Sequence, residues 1–185
     1  MTQSDRQASD GAALIRQAAA EVLREVGLHA ATTRLVTDRA GVGRGLLNHY
    51  FRWPDLRAAA WEAIFAEVDT RETSPERALE SWLAAAFAPG ARAYWRLWLE
   101  ATDLATSDPA MAAALKRVQG HMLAGLTANL AAGQGRWRCA DPAATALRLT
   151  ALQDGLAGLL LTGTTDLTPE AAESHLRRAF ALETS

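Results

Sequence analysis

Residues 32–51 read TTRLVTDRAGVGRGLLNHYF, and this stretch decides the fold. Val36 and Ala40 fall on one side of a short helix expected over 33–40. Gly41 follows, and glycine reaches the left-handed backbone that a tight turn between two helices needs. Val42 can plug the angle between them. A second helix expected over 44–51 turns Leu46 or Leu47 inward, and Tyr50 and Phe51 close a small core. Two short helices crossing at a glycine turn make a helix-turn-helix.

The second of these helices offers Arg44, Gly45, Asn48, His49 and Tyr50. Arginine and asparagine can hydrogen-bond base edges in a major groove, while tyrosine, histidine and arginine can hold phosphates. Gly45 leaves room for close approach. Thr32 and Thr33 sit at a helix start, where hydroxyls and free N–H groups can bind phosphate. His49 otherwise caps or solvates the helix surface.

This segment resembles the tetracycline-repressor (TetR) family of bacterial regulators. Thr32, Arg34, Val36, Ala40, Gly41, Val42, Gly45, Leu47, Tyr50 and Phe51 match its signature in register. The placement also agrees, with one helix upstream and a long helical body downstream. The resemblance implies a helix-turn-helix DNA-binding domain over 1–57 and a ligand-binding and dimerisation domain over 58–185. It also implies repression as the default mode. Three positions depart from the pattern. Gly43 stands where the family has a serine, and Asn48 where it has an aromatic residue, so that this position can read a base instead. The phosphate-holding lysine that opens the family's fourth helix is missing from RWPDL at 52–56, where Pro54 stands; either Arg52 replaces it or that contact is absent.

The bulk composition fits this reading. The 185 residues are 49% apolar and 22% charged, which suits a core-forming protein and not a disordered one. Net charge is −2, so the molecule as a whole is no generic polyanion binder. The charge is uneven: residues 1–57 carry eight arginines against six acids, a net of +2, and the remainder has a net of −4. The single cysteine, Cys139, excludes an internal disulfide and suits a reducing compartment. No basic start precedes an apolar run at the N-terminus, so a cytoplasmic protein is expected. Arg148, Gln153 and Asp154 interrupt the apolar stretch 142–163, which argues against a membrane span.

An all-α fold of about nine helices is expected, with a three-helix N-terminal unit and a helical bundle behind it. Ser74-Pro75, Asp108-Pro109, Asp141-Pro142 and Thr168-Pro169 each read as a helix start. The side-chain oxygen satisfies an orphan N–H, and proline has none to waste. Helices are predicted near 10–26, 33–40, 44–51, 54–70, 75–88, 91–106, 109–132, 142–163 and 169–182. The first is amphipathic: Leu14, Ala18, Val22 and Val26 form one row, beside Ile15, Ala19 and Leu23. Gly27 is its expected stop.

The body holds five of the six tryptophans, Trp61, Trp82, Trp95, Trp98 and Trp137. Trp95, Trp98, Leu99 and Thr102 share a helical face with Asp103 at its margin, and Glu100 points away toward Arg96. Indole faces with one carboxylate can hold a cation, so Trp61, Trp82, Trp95, Trp98, Leu99, Asp103 and Asp154 are the candidate effector residues. Any one tryptophan can equally be plain core. Asp154 is either a buried polar group at a pocket end or a solvated rim residue. The stretch 93–110 and the Asp-Gly-Leu at 154–156 resemble the betaine-regulator (BetI)-like branch of the family. That branch implies effectors that include cationic or quaternary amines; a cationic or aromatic effector is therefore expected.

Along 142–163, Ala151, Gly155, Gly158 and Thr162 form a small-residue row beside Leu149, Leu152, Leu156 and Leu159. Small residues admit a partner helix and leucines supply area. With Leu176 and Phe180 of the last helix, Ala151, Gly155, Gly158, Leu159 and Thr162 are the candidate two-fold interface of a homodimer. Packing within the chain is the alternative.

No catalytic set emerges: His29, His49, His121 and His175 are scattered and Cys139 has no evident base. No metal spacing or nucleotide motif is present, so neither enzyme activity, cofactor nor metal is expected. The expected partners are a double-stranded, pseudopalindromic DNA operator, a small-molecule effector and a second copy. The rival reading is a small-molecule carrier or helical enzyme with a non-functional helix-turn-helix.

Overall fold

The computed structural model describes residues 3–66, 74–133 and 136–185, with side chains from residue 11 onward. The described residues form nine helices: α1 (Gln3–Ala30), α2 (Thr33–Ala40), α3 (Arg44–Tyr50), α4 (Trp53–Ala66), α5 (Pro75–Ala85), α6 (Ala91–Leu104), α7 (Pro109–Ala132), α8 (Pro142–Thr162) and α9 (Pro169–Glu183). No strand occurs among them. Residues 67–70 of the helix expected over 54–70, and 134–135 of the glycine-rich loop, lie outside the described residues.

The four predicted starts are all caps. Ser74, Asp141 and Thr168 accept hydrogen bonds from Arg77, Ala144 and Ala171 N–H at 3.3, 3.0 and 3.2 Å. Asp108 Oδ1 accepts from Ala110 and Met111 N–H at 2.9 and 3.3 Å. These starts were legible because the chemistry is local: one oxygen, then a proline in the first turn.

The chain divides into two compact units. The first comprises residues 1–69 and 97–118, so it takes in α1–α4, the end of α6 and the start of α7. Its core packs Ile15, Ala19 and Leu23 of α1 against Val36, Leu47, Leu56, Trp61, Ile64, Leu97 and Met111. The buried face of α1 is thus the 15/19/23 row flanked by Ala18 and Val22, whereas Leu14 is 52% exposed. The expected row was one position off at its start, because an apolar leucine at the stripe's edge reads like one at its centre.

Gly27 does more than end α1. Its φ of 84° and ψ of 177° break the helix, and a further turn runs on to Ala30. A Cβ there would lie 2.6 Å from Glu100 Oε2. The Glu100 carboxylate accepts the Leu28 N–H that the break leaves without a helical partner. Glu100 was expected to point toward Arg96; its carboxylate also serves this turn, 72 residues away in sequence, where no local pattern could reveal it.

Within the same unit α4 is fastened to the 97–118 segment at two levels. Trp61 is fully buried and donates Nε1–H to Leu97 O at 3.1 Å. Its ring lies 4.7 Å from Phe65 and 5.7 Å from Trp98. One turn earlier Arg57 Nη2 donates to Asp108 Oδ2 at 2.8 Å, with only 15% and 10% of the two side chains exposed.

The second unit comprises residues 70–96 and 119–185. One cluster packs Leu83, Phe87, Leu149, Leu156, Ala172 and Leu176, and another packs Leu79, Leu126, Leu130, Cys139 and Ala146. Arg177 ties α5 to α9 through Glu80 at 2.7 and 2.9 Å and bonds Glu173 on its own helix at 2.7 Å. Arg92 donates to the Leu160 and Leu161 carbonyls at 3.0 and 3.2 Å, satisfying acceptors left over at the end of α8.

Candidate nucleic-acid interface

The turn between α2 and α3 is built as the sequence requires. Thr32 is the N-cap of α2, its Oγ1 accepting Leu35 N–H at 3.3 Å. Gly41 closes α2 in left-handed conformation, φ 65° and ψ 31°. Val42 N–H then bonds Thr37 O at 3.1 Å, and its side chain packs on the core. Gly43 caps α3 without a side-chain bond. Of the two leucines offered for the inward position, Leu47 is fully buried and Leu46 is 39% exposed.

With Leu47 inward, Arg44, Gly45, Asn48 and His49 all stand exposed on α3. No atom would meet a Cβ added at Gly45, so its face is open. Arg44, Asn48 and Arg52 are exposed and make no side-chain hydrogen bond or ion pair among the described residues. His49 stacks edge-on against Tyr50, with ring centroids 5.0 Å apart. Tyr50 is half-buried against the core, and its ring approaches Gly11 of α1. Thr32 is exposed and Thr33 half-exposed at the start of α2. The eight nominated residues therefore belong to one compact unit, six of them fully on its surface.

Arg52 has a second role. Its carbonyl accepts Leu56 N–H at 3.0 Å, so α4 begins at Trp53 and Pro54 falls in its first turn. That is one residue earlier than expected. A first-turn proline loses no helical hydrogen bond, so replacing the lysine leaves the helix intact.

The nominated effector residues fall into two sets. Trp61, Trp98, Leu99 and Asp103 lie in the first unit; Trp82, Trp95 and Asp154 lie in the second. The Trp61 indole is spent on the core, and Trp98 is 9% exposed beside it. Asp103 faces His29 at 3.5 Å with 76% of its side chain exposed, which makes it a solvated surface carboxylate. Trp95 donates Nε1–H to Ala86 O at 2.9 Å and packs on Phe87 with centroids 5.6 Å apart. Trp82 is half-buried between the two clusters of its unit, and Asp154 is half-buried on α8. An open cleft of about 450 Å³, lined by Trp137, Arg138, Cys139, Ala140, Glu183 and Ser185, includes none of them.

The nominated dimer residues also separate. Ala151, Gly155, Leu159 and Thr162 are exposed, and with Ala143 and Leu147 (56% exposed) they form an apolar stripe along α8. Gly158 and Phe180 are half-buried. Leu176 is fully buried among residues of its own chain, so it serves the internal core instead.

Two short helices crossing at a left-handed glycine, with unspent polar groups on the second, define a helix-turn-helix DNA-binding protein. The chain belongs to the tetR family of bacterial regulatory proteins: that family's model matches residues 15–52, and the model of the BetI-type transcriptional repressor C-terminal domain matches residues 75–184. It is accordingly a ligand-responsive transcriptional regulator, and its family and fold are those of regulators and not of enzymes. No curated protein matches the chain. Among solved structures, a TetR transcription regulator from Haloarcula marismortui is 20% identical, covering 95% of this chain and 98% of that one, with a TM-score of 0.78. The multidrug binding protein EbrR complexed with proflavin is 26% identical over 91% of this chain and 99% of its own, with a TM-score of 0.67. A protein from Saccharomonospora viridis in complex with choline is 20% identical over 92% and 95%, with a TM-score of 0.74. No helix of the described residues is long and apolar enough to cross a membrane.

Proposed function

We propose that the protein is a homodimeric repressor released from a pseudopalindromic operator by a cationic or aromatic small molecule. The observation that carries the DNA-binding part is the set of unspent donors on and beside α3. Arg44 and Asn48 would read base edges, with His49 beside them. Thr32, Thr33, Arg52 and, at its exposed edge, Tyr50 would position the backbone phosphates. The functional division would then fall at 1–57 and 58–185, with α4 as the transmitting helix.

The apolar α8 stripe supports a two-fold partner helix, since five successive exposed positions at i+4 spacing, Ala143 to Leu159, carry no charge. Two recognition helices in such a dimer would reach half-sites about 34–36 Å apart. The fastening of α4 by Trp61 and Arg57 supports a release mechanism. An effector that moved the 97–118 segment would carry α4, and with it α3, out of register. It need only favour the released state by a few kcal/mol. The effector class rests on the BetI-type domain and on the 26%-identical relative complexed with proflavin, a flat aromatic amine. Of the nominated tryptophans, Trp82 and Trp95 retain partial exposure to meet one.

The test is a binding assay of the full chain against DNA flanking its own coding region, beside Asn48→Ala. Saturable, sequence-selective binding that weakens with salt and is weakened in the variant supports the reading. A folded dimer that binds choline or proflavin but shows no sequence preference on any duplex favours a carrier instead.

A further inference from the structure

The arginines of the first unit divide sharply by what their charge is spent on. Arg34 pairs with Asp38 at 3.6 Å, and Arg39 with Glu21 and Glu25 at 3.3 and 2.7 Å. Arg57 pairs with Asp108 at 2.8 Å and Arg117 with Glu62 at 2.7 Å. Arg24 also has an interaction of its own. Three remain with no carboxylate among the described residues: Arg44, Arg52 and Arg16. The first two open and follow α3. The third is on α1 and is not part of the helix-turn-helix segment in sequence, yet its guanidinium carbon sits 5.2 Å from the centroid of the Phe51 ring. Phe51 is the C-cap of α3 and the residue before Arg52.

We infer that Arg16 is a DNA-phosphate contact, held by the Phe51 ring and acting beside Arg52 where the sequence lacks a lysine on α4. This rests on the regulator reading above. The physical grounds are three. A guanidinium over an aromatic face is oriented without a counter-ion, so its N–H donors stay available. Arg16 is exposed, and so is Arg52, the residue that follows Phe51 in the chain. Neither Arg16 nor Arg52 has a carboxylate partner among the described residues, so both charges are available to a polyanion, and arginine forks match phosphate oxygens. A structural role alone would not require a charge here, because a leucine would cover the Phe51 ring more cheaply.

The experiment compares wild type, Arg16→Gln and Arg16→Lys on the upstream duplex and on a random-sequence duplex, between about 50 and about 200 mM salt. Each phosphate contact contributes close to one unit to the slope of log affinity against log salt, and a dimer carries two copies of Arg16. Arg16→Gln is expected to flatten the slope by about two per dimer and to weaken both duplexes by the same factor. Arg16→Lys is expected to keep most of the slope, because the charge remains. An unchanged slope in a folded Arg16→Gln overturns the inference. So does a loss confined to the upstream duplex, which would make Arg16 a base reader. Equal weakening by Gln and Lys would show that only the ring stack matters, and overturns it too. If wild type binds neither duplex, the regulator reading itself fails. That failure is seen without any Arg16 variant. Thermal melts of all three proteins confirm that the comparison is between folded chains.

Discussion

The Arg57–Asp108 pair offers the most demanding test of how α4 is held. Asp108 does two jobs, capping α7 with Oδ1 and receiving Arg57 with Oδ2. Burial pushes its carboxyl pKa up, but the Arg57 guanidinium and the Met111 and Ala110 N–H groups outweigh burial and hold it below the usual value of 3.8. Arg57 Nε is buried with no hydrogen-bond partner, so its charge depends on Asp108 and on the Trp53 face at 5.8 Å. Asp108→Asn keeps an oxygen for the cap and removes both the charge and the oxygen that accepts from Arg57. Stranding a nearly buried arginine costs about 3 kcal/mol, the low end for a broken buried pair, because the cap survives. Arg57→Met leaves Asp108 with two backbone donors and costs about 2 kcal/mol. The double variant removes both charges and loses about 3 kcal/mol, giving a coupling near 2 kcal/mol. Urea unfolding at one fixed protein concentration measures all four proteins. Losses that add within about 0.5 kcal/mol would refute the argument, since they would mean the pair is solvated and holds nothing. The pH dependence follows with its sign. A carboxyl whose folded pKa is depressed contributes stability above its unfolded value. That contribution is lost as pH falls from 3.8 toward the lower folded value, and it vanishes in Asp108→Asn.

Further outcomes are expected elsewhere. Gly27→Ala combines a backbone region closed to L side chains with a Cβ 2.6 Å from Glu100 Oε2; it is expected to lose about 3 kcal/mol and lower the unfolding midpoint by about 6–12 °C in a thermal scan. Leu159→Glu places a charge on the exposed α8 stripe, where the residue is 39% exposed; sedimentation should show monomer at concentrations where wild type is dimeric, with the fold unchanged by circular dichroism. Trp61→Phe removes the indole bond to Leu97 O at 3.1 Å, while that carbonyl keeps its place in the α6 ladder; a loss of about 0.5–1.5 kcal/mol for the bond is expected on denaturation.

What the sequence made legible was what local chemistry dictates. A capping oxygen followed by proline, or a glycine at a two-helix turn, specifies backbone within a few residues, so the helix starts and the α2–α3 turn read correctly. The signature residues also placed the exposed side chains of α3, because one inward leucine, Leu47, fixes which of its neighbours face out. Contacts at long range were not legible. Glu100 reaching Leu28, Trp61 reaching Leu97, and Arg16 lying over Phe51 all depend on helices meeting in space. The same limit explains the aromatic residues. Composition said that tryptophans were plentiful, but only packing decides that Trp61 is core while Trp82 and Trp95 keep an exposed edge. Leu176 fell to the inside for the same reason: on an amphipathic last helix, the face that meets its own chain and the face that meets a partner carry similar residues.

The central claim is that α3 reads DNA, and one measurement addresses it most directly. The full chain and Asn48→Ala would be titrated against the duplex upstream of the coding region and against a scrambled duplex at fixed salt. The wild type is expected to prefer the upstream duplex by at least about a thousandfold, as is usual for specific over non-specific sites. Asn48→Ala is expected to erode that preference by about 1–3 kcal/mol while leaving scrambled-duplex binding unchanged. Equal affinity of the wild type for both duplexes, or a variant indistinguishable from it, would contradict the account.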